Sequence, residues 1–263
     1  MTSKESYTIV TGAGSGIGKE VALHLGKSTK VLCISKSDNC RETAETIGEN
    51  AKHLICDFSN IENSESRYSD FIKKNNMNIN ALVHCAGIIG QEGPIETTNL
   101  EQWSEVFSIN FFSAVMLSKA LLPTFKKQNF GKLIFFSGGG SAYGYPVLPQ
   151  YSASKTSLVR FVENLEMEIS EYPNISTFII APGAVDTAMF KEVKEKEKAY
   201  GKTTEIRSFS MIEDVAKFVE LIVNSNLKKL SGRLIHIRDD WKSLAAGDKD
   251  IENAYWKLRR VQK

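Results

Sequence analysis

Seven short, β-rich apolar runs recur along this chain with helical stretches between them: Tyr7–Val10, Lys30–Ile34, His53–Cys56, Ala81–His84, Lys132–Phe136, Ser176–Ile180 and Arg233–Ile237. Strand and helix in strict alternation imply a parallel sheet whose crossovers are the helices. The runs are apolar nearly throughout instead of alternating with polar residues, as strands buried on both faces must be. The expected fold is therefore α/β: a single doubly wound, seven-stranded parallel sheet with helices on both faces. Its ligand belongs beyond the carboxyl ends of the strands. Two helical stripes fit that picture: Leu158, Phe161, Val162, Leu165 and Ile169, and Val215, Phe218, Val219 and Ile222.

No internal repeat or Pro/Gly/Ser linker divides the 263 residues, so residues 1–263 are expected to form one domain. Met189–Gly201, rich in Lys and Glu, reads equally as a solvated helix or as part of a mobile lid over the substrate spanning about residues 188–210. Residues 240–263 form a carboxyl-terminal extension. The formal charge of +2 gives no reason to expect nucleic acid or a membrane as a partner. No unbroken apolar run approaches the ~18 residues of a membrane span, and Met1–Ser6 is polar where an export signal would be apolar. Cys33, Cys40, Cys56 and Cys85 show no CxxC spacing and read as reduced thiols of a cytoplasmic protein. His24, His53, His84 and His236 are scattered without ligand spacing and read as packing residues, so no metal is expected.

Directly after the first run comes Thr11-Gly12-Ala13-Gly14-Ser15-Gly16-Ile17-Gly18, followed by a helical pattern through Leu25. Glycines let the backbone turn sharply and approach a pyrophosphate, whose charge is favoured at a helix N-terminus. The GxGxxG frame fails from each starting glycine; the frame that fits is TGxxxGxG. Further on stand Asp57-Phe58, Cys85-Ala86-Gly87, Asn110, Tyr151-Ser152-Ala153-Ser154-Lys155 and Pro182-Gly183-Ala184-Val185-Asp186-Thr187. In this order they resemble the motifs of the short-chain dehydrogenases/reductases, a family with a Rossmann-type fold. The resemblance covers nearly the whole chain.

The resemblance implies a nicotinamide dinucleotide held by Thr11, Gly12, Gly14, Ser15, Gly16, Ile17, Gly18, Ser35, Lys36, Asp57, Phe58, Cys85, Ala86 and Gly87. Asn110, Tyr151, Lys155, Pro182, Gly183, Val185 and Thr187 complete that set. Cys85 stands where the family has asparagine. The second strand ends Ile34-Ser35-Lys36-Ser37, with no acid for a ribose 2′-hydroxyl and a base suited to a 2′-phosphate. NADP(H) is therefore favoured over NAD(H).

Carbonyl reduction needs a hydride at carbon and a proton at oxygen. Tyrosine, with an ordinary pKa of ~10, needs help to act as base at neutral pH, and a lysine cation one helical turn away would lower that value. Tyr151 and Lys155 have that spacing, and the resemblance gives Asn110 the task of holding a water that links Lys155 to solvent. The family's substrate-polarising serine falls on Gly138, within Ser137-Gly138-Gly139-Gly140-Ser141. Oxyanion assistance is thereby left to Ser141 first, then Ser137, then a backbone N–H of the glycine run, or to nothing. If Gly138 faces the substrate, the two-residue strand period turns Ser137 away.

The glycine triplet, Gly232–Trp241 and Tyr255–Arg260 resemble a bacterial branch associated with sugar and polysaccharide biosynthesis, which implies a sugar precursor as substrate. Arg259 and Arg260 would then meet a sugar-nucleotide phosphate, unless Trp256 and Leu258 pack the tail on a helix. The family also implies a homodimer or homotetramer. Two other functions share these residues: a sugar-nucleotide epimerase or dehydratase, and a non-enzymatic NADP-sensing or scaffold protein, the latter suggested by Gly138.

Overall fold

The computed structural model describes residues 6–202, 205, 208–246 and 256–259. Seven strands form one sheet: β1 (Ser6–Thr11), β2 (Lys30–Ser35), β3 (Ala51–Ile55), β4 (Asn78–His84), β5 (Gly131–Phe136), β6 (Ile175–Ala181) and β7 (Leu234–His236). All pairings are parallel, in the order β3-β2-β1-β4-β5-β6-β7. The chain winds outward from β1 to β3, then returns to place β4 on the other side of β1. The crevice between the carboxyl ends of β1 and β4 is thus the switch point at which such sheets bind ligands.

The strand period of two sorts the apolar runs into two cores. Val10, Val31, Cys33, Ile134, Phe136 and Ile180 face one side, where they meet Val21, Ala22 and Leu25 of α1 (Gly16–Leu25) and Val215, Phe218, Val219 and Ile222 of α8 (Ile212–Asn224). Ile9, Leu32, Ile34, Leu133, Phe135 and Ile179 face the other, against Leu117, Leu121 and Phe125 of α5 (Ser113–Gln128) and Leu158, Val162 and Leu165 of α6 (Pro149–Glu168). Each large aliphatic or aromatic side chain so enclosed contributes about 1.5–3 kcal/mol relative to exposure. Strands β4 to β6 lie inside the sheet with both faces covered, which is why Ala81–Val83, Leu133–Phe136 and Phe178–Ala181 are unbroken apolar runs.

The remaining helices are α2 (Asn39–Ile47), α3 (Ile61–Lys74), α4 (Leu100–Phe107), α7 (Ala188–Ala199) and α9 (Trp241–Ala246). Between α4 and α5 the backbone widens into a π-helical turn, Ser108–Phe112. The continuous helical stretch Leu100–Gln128 is long and apolar enough to cross a membrane by length and composition, though it contains no unbroken apolar run of that size. Half of its most apolar window is buried inside the protein, as a core helix requires.

At the carboxyl end, the Leu234 N–H donates to the Trp256 carbonyl at 2.8 Å, so the tail runs along the outer edge of β7. The Leu258 N–H and the Arg259 guanidinium both bind the buried Glu163 carboxylate of α6, at 2.7 and 2.9 Å. Glu163 lies three helical turns beyond Tyr151, roughly 18 Å along the axis. Arg259 is thus a fastening of the tail, held away from the site where a substrate phosphate was expected; Tyr255 and Arg260 lie outside the described residues. Helix α7 is no freely solvated helix either. Its Glu197 is buried and accepts from the Tyr145 hydroxyl at 2.6 Å, while Lys196 pairs with Glu92 at 2.6 Å.

Candidate active site

The glycine turn leaves β1 at Thr11 and enters α1 at Gly16. Gly12 has φ +66°, and a Cβ there would lie 3.0 Å from the Ala86 nitrogen, so the turn touches the loop after β4 with no room for a side chain. A Cβ on Gly18 would collide with the Gly12 carbonyl, which lets α1 start directly under the turn. The first turn of α1 carries no acidic residue to compete with an anion. Thr187, the N-cap of α7, accepts from the Phe190 N–H at 3.2 Å, and a Cβ on Gly16 would meet its methyl at 3.6 Å. The Pro182–Thr187 loop, with Val185 buried and Gly183 at φ +73°, therefore faces the glycine turn across the crevice.

A cleft of about 170 Å³ runs from this turn between Ser35, Lys36 and Asp57 on one side and Ala86 and Gly87 on the other. Gly14 and Ser15 close one end, and Phe58 lines the cleft although it is almost wholly buried. Lys36 also borders a second, wider cleft of about 670 Å³, which continues past Gly87 and Gly90 to Glu192 and Lys196 of α7. The narrow, glycine-walled crevice with a helix N-terminus and a basic side chain suits a dinucleotide; the wider cleft is where a second molecule meets it. A larger cleft of about 860 Å³ along α8, between Met211 and Trp241, includes none of the candidate cofactor-binding or catalytic residues.

Tyr151 and Lys155 lie on α6, with the ammonium 5.7 Å from the centre of the phenol ring. Lys155 is 5% exposed, and its Nζ donates to the Phe136 carbonyl at the end of β5 at 2.9 Å. Burial pushes the Lys155 pKa down to about 8 and that of Tyr151 up to about 12. The second value reverses the expected direction. Loss of water around the phenol is the cause, and Tyr151 keeps its proton throughout the neutral range.

Asn110 sits fully buried in the π-helical turn. Its Oδ1 accepts from the Ile88 N–H at 2.8 Å, and its Nδ2 donates to the Ile88 carbonyl and the Ser154 hydroxyl, each at 2.9 Å. It therefore ties the loop after β4 to α6. Gly87 lies between Asn110 and Lys155: a Cβ there would be 3.3 Å from Asn110 Oδ1 and 3.4 Å from Lys155 Nζ. Cys85 is half-buried beside them, and burial pushes its thiol well above the ordinary range.

A Cβ on Gly138 would stand 3.3 Å from the Tyr151 hydroxyl, so this glycine faces the phenol. Ser137 and Ser141 are both buried. Ser137 donates to Ser141 Oγ at 2.7 Å, and Ser141 donates to the Gly138 carbonyl at 2.7 Å. Each hydroxyl proton is thus committed within the loop. His84, read from the sequence as a packing residue, is buried at the end of β4 between Thr11 Oγ1 at 2.9 Å and Ser113 Oγ at 3.1 Å. A lone histidine in an apolar run carries no signal of such a role. Among the described residues no group of three His, Cys, Asp or Glu side chains is placed to hold a metal ion.

With this geometry in hand, the likeness to known proteins is consistent along the chain. The short chain dehydrogenase family matches residues 6–198. The 3-oxoacyl-[acyl-carrier-protein] reductase FabG of Buchnera aphidicola (subspecies Baizongia pistaciae) is 24% identical over 241 residues, 90% of this chain and 97% of that protein. Among solved structures, a protein described as a NAD(P)-dependent gluconate 5-dehydrogenase from Beutenbergia cavernae, with bound NADP, superposes with a TM-score of 0.78 at 24% identity, covering 90% of this chain and 97% of that one. An NAD+-bound xylitol dehydrogenase gives a TM-score of 0.80 at 20% identity over 89% of this chain and 98% of its own. The match over residues 6–198 makes this chain a member of the short-chain dehydrogenase family, an oxidoreductase of alcohol and carbonyl groups.

Proposed function

We propose that this chain is an NADP(H)-dependent reductase of a small-molecule carbonyl, with Tyr151 as proton donor and Lys155 as its electrostatic partner. The observation that carries this reading is the meeting, at the mouth of the cofactor crevice, of the Tyr151 hydroxyl, the Lys155 ammonium and two positions without side chains, Gly87 and Gly138. The glycine turn, Ser15 and the N-terminus of α1 would hold a pyrophosphate, Ser35 and Lys36 the 2′-phosphate end, and Asp57 and Phe58 the adenine. Lys155 and the Pro182–Thr187 loop would hold the nicotinamide end. When bound, the dinucleotide supplies the hydride. Tyr151, protonated at neutral pH, gives its proton to the carbonyl oxygen, and the Lys155 cation stabilises the phenolate left behind. Asn110 holds α6 against the loop after β4, which fixes Tyr151 relative to the cofactor.

Lys155 is a cation below about pH 8 and neutral above it. Carbonyl reduction should therefore be flat below that value and fall as pH rises through it, because the phenolate loses its partner. A rate measured across pH 6 to 10 checks this, and an undiminished rate at the alkaline end would contradict it. The wider cleft is lined by Gln91, Asn99, Gln102 and Glu105, amides and a carboxylate that suit a hydroxylated substrate such as a sugar or polysaccharide precursor. Helix α7, fastened through Tyr145–Glu197 and Lys196–Glu92, serves as the cover of that cleft.

The cofactor preference rests on Lys36. Calorimetric titration should give tighter binding of NADPH than of NADH. Lys36→Asp should remove or reverse the difference, since loss of one charge-assisted contact costs ~1.5–3 kcal/mol. Equal affinities in the unsubstituted protein would contradict the assignment.

A further inference from the structure

One set of hydrogen-bond directions around His84 also serves the Ile109 carbonyl. Ser113 Oγ has a single proton, and it goes to the Ile109 carbonyl at 2.7 Å. At His84 Nε2, 3.1 Å away, Ser113 can therefore only accept, so Nε2 carries the imidazole proton. Neutral imidazole then has a lone pair at Nδ1, which accepts from Thr11 Oγ1 at 2.9 Å; Thr11 Oγ1 in turn accepts from the Ala86 N–H at 3.1 Å. Burial, with the Lys155 cation second, pushes the His84 pKa down to about 3, and the smaller effect of the Ile109 carbonyl opposes it. The Phe58 and Phe135 rings flank the imidazole, each 6.2 Å from it between centroids.

What this chain reaches is the π-helical turn. The Ser113 N–H donates to the Ser108 carbonyl, five residues back. The Ile109 carbonyl, which that N–H would take in an α-helix, receives the Ser113 hydroxyl instead. The serine thus satisfies in one residue both acceptors that the widened turn presents to it, and His84 fixes the rotamer in which it can. Asn110, whose amide joins Ile88 to Ser154, lies inside that turn.

We infer that His84, as the Nε2–H tautomer, is a positioning residue: through Ser113 it holds the π-helical turn that sets Asn110, and through Thr11 it joins that turn to the start of the glycine turn. This rests on the reductase reading for its effect on rate, but the hydrogen-bond assignment stands apart from it. Two measurements separate them. Nitrogen-15 NMR of the ligand-free protein should show His84 protonated at Nε2, unprotonated at Nδ1 and unchanged between pH 5 and 8. A proton on Nδ1, or titration near the ordinary histidine value, would overturn the assignment whatever the enzyme's activity. In steady-state kinetics, Ser113→Ala and His84→Phe should lower kcat about tenfold or more while KM for the carbonyl changes less than about threefold, because the loss falls on transition-state alignment. His84→Gln, which keeps one acceptor and one donor, should recover most of that loss. Rates within about twofold of the unsubstituted chain in both variants, or losses that only follow the folded fraction seen by circular dichroism, would overturn the positioning role.

Discussion

Tyr151→Phe is expected to lower kcat by about 10²–10⁴-fold, the range for removing a general acid, while NADPH affinity stays within about threefold. The substitution deletes one hydroxyl from a half-buried ring and leaves the glycine turn, Lys36 and Lys155 in place. Since burial holds the phenol in its protonated form in the free protein, the group is ready to give a proton without prior ionisation. Lys155 then acts on the product side of the transfer, where the phenolate forms. Turnover within a few-fold of the unsubstituted chain, with intact binding measured by NADPH fluorescence, would remove Tyr151 from the chemistry.

Gly138→Ser is expected to raise kcat/KM for a carbonyl substrate by roughly tenfold to 100-fold, the scale on which a single oxyanion donor acts. A Cβ at this position lies 3.3 Å from the Tyr151 hydroxyl, close enough that the ring must move by a few tenths of an ångström, and a hydroxyl built on it would enter the space of the reacting oxygen. In the natural chain neither neighbouring serine has a proton to offer without breaking a bond: Ser137 gives its proton to Ser141, and Ser141 gives its own to the Gly138 carbonyl. Ser137→Ala and Ser141→Ala should therefore stay within about fivefold of the natural rate, leaving a backbone N–H as the donor. If Ser141→Ala instead costs about 100-fold, the glycine loop turns that hydroxyl toward the substrate on binding, and Ser141 is the missing group.

The parts of this molecule that could be read from sequence are those where one physical requirement leaves few residue choices. Strands covered on both faces must be largely apolar, so the runs Ala81–Val83, Leu133–Phe136 and Phe178–Ala181 announced β4, β5 and β6. The glycine turn was legible because Gly12 and Gly18 have no space for a side chain, a demand that no other residue meets. The facing of Gly138 toward the substrate was implied by the family resemblance, and a Cβ there does stand 3.3 Å from the Tyr151 hydroxyl. What was hidden depends on contacts between distant segments. His84 looks like packing until Thr11 and Ser113, 73 and 29 residues away, are brought to its two nitrogens. The Lys- and Glu-rich α7 looks solvated because nothing local marks Glu197 as the one carboxylate that turns inward to Tyr145. Arg259 looks free for a phosphate until Glu163 is seen beneath the tail. The direction of the Tyr151 shift was missed for a related reason: spacing shows the lysine, whereas the extent of burial belongs to the folded chain.

The most direct test of the proposed reaction is isotope transfer. Purified protein would be incubated with NADPH deuterated at its transferable position and a panel of ketoses, keto-acids and simple ketones, and the products weighed by mass spectrometry. Carbonyl reduction through Tyr151 and Lys155 predicts an alcohol carrying one deuterium on carbon, formed by the natural chain and nearly absent with Tyr151→Phe. Deuterium that never reaches any product while NADPH remains bound, or an equal yield of labelled alcohol from Tyr151→Phe, would contradict it.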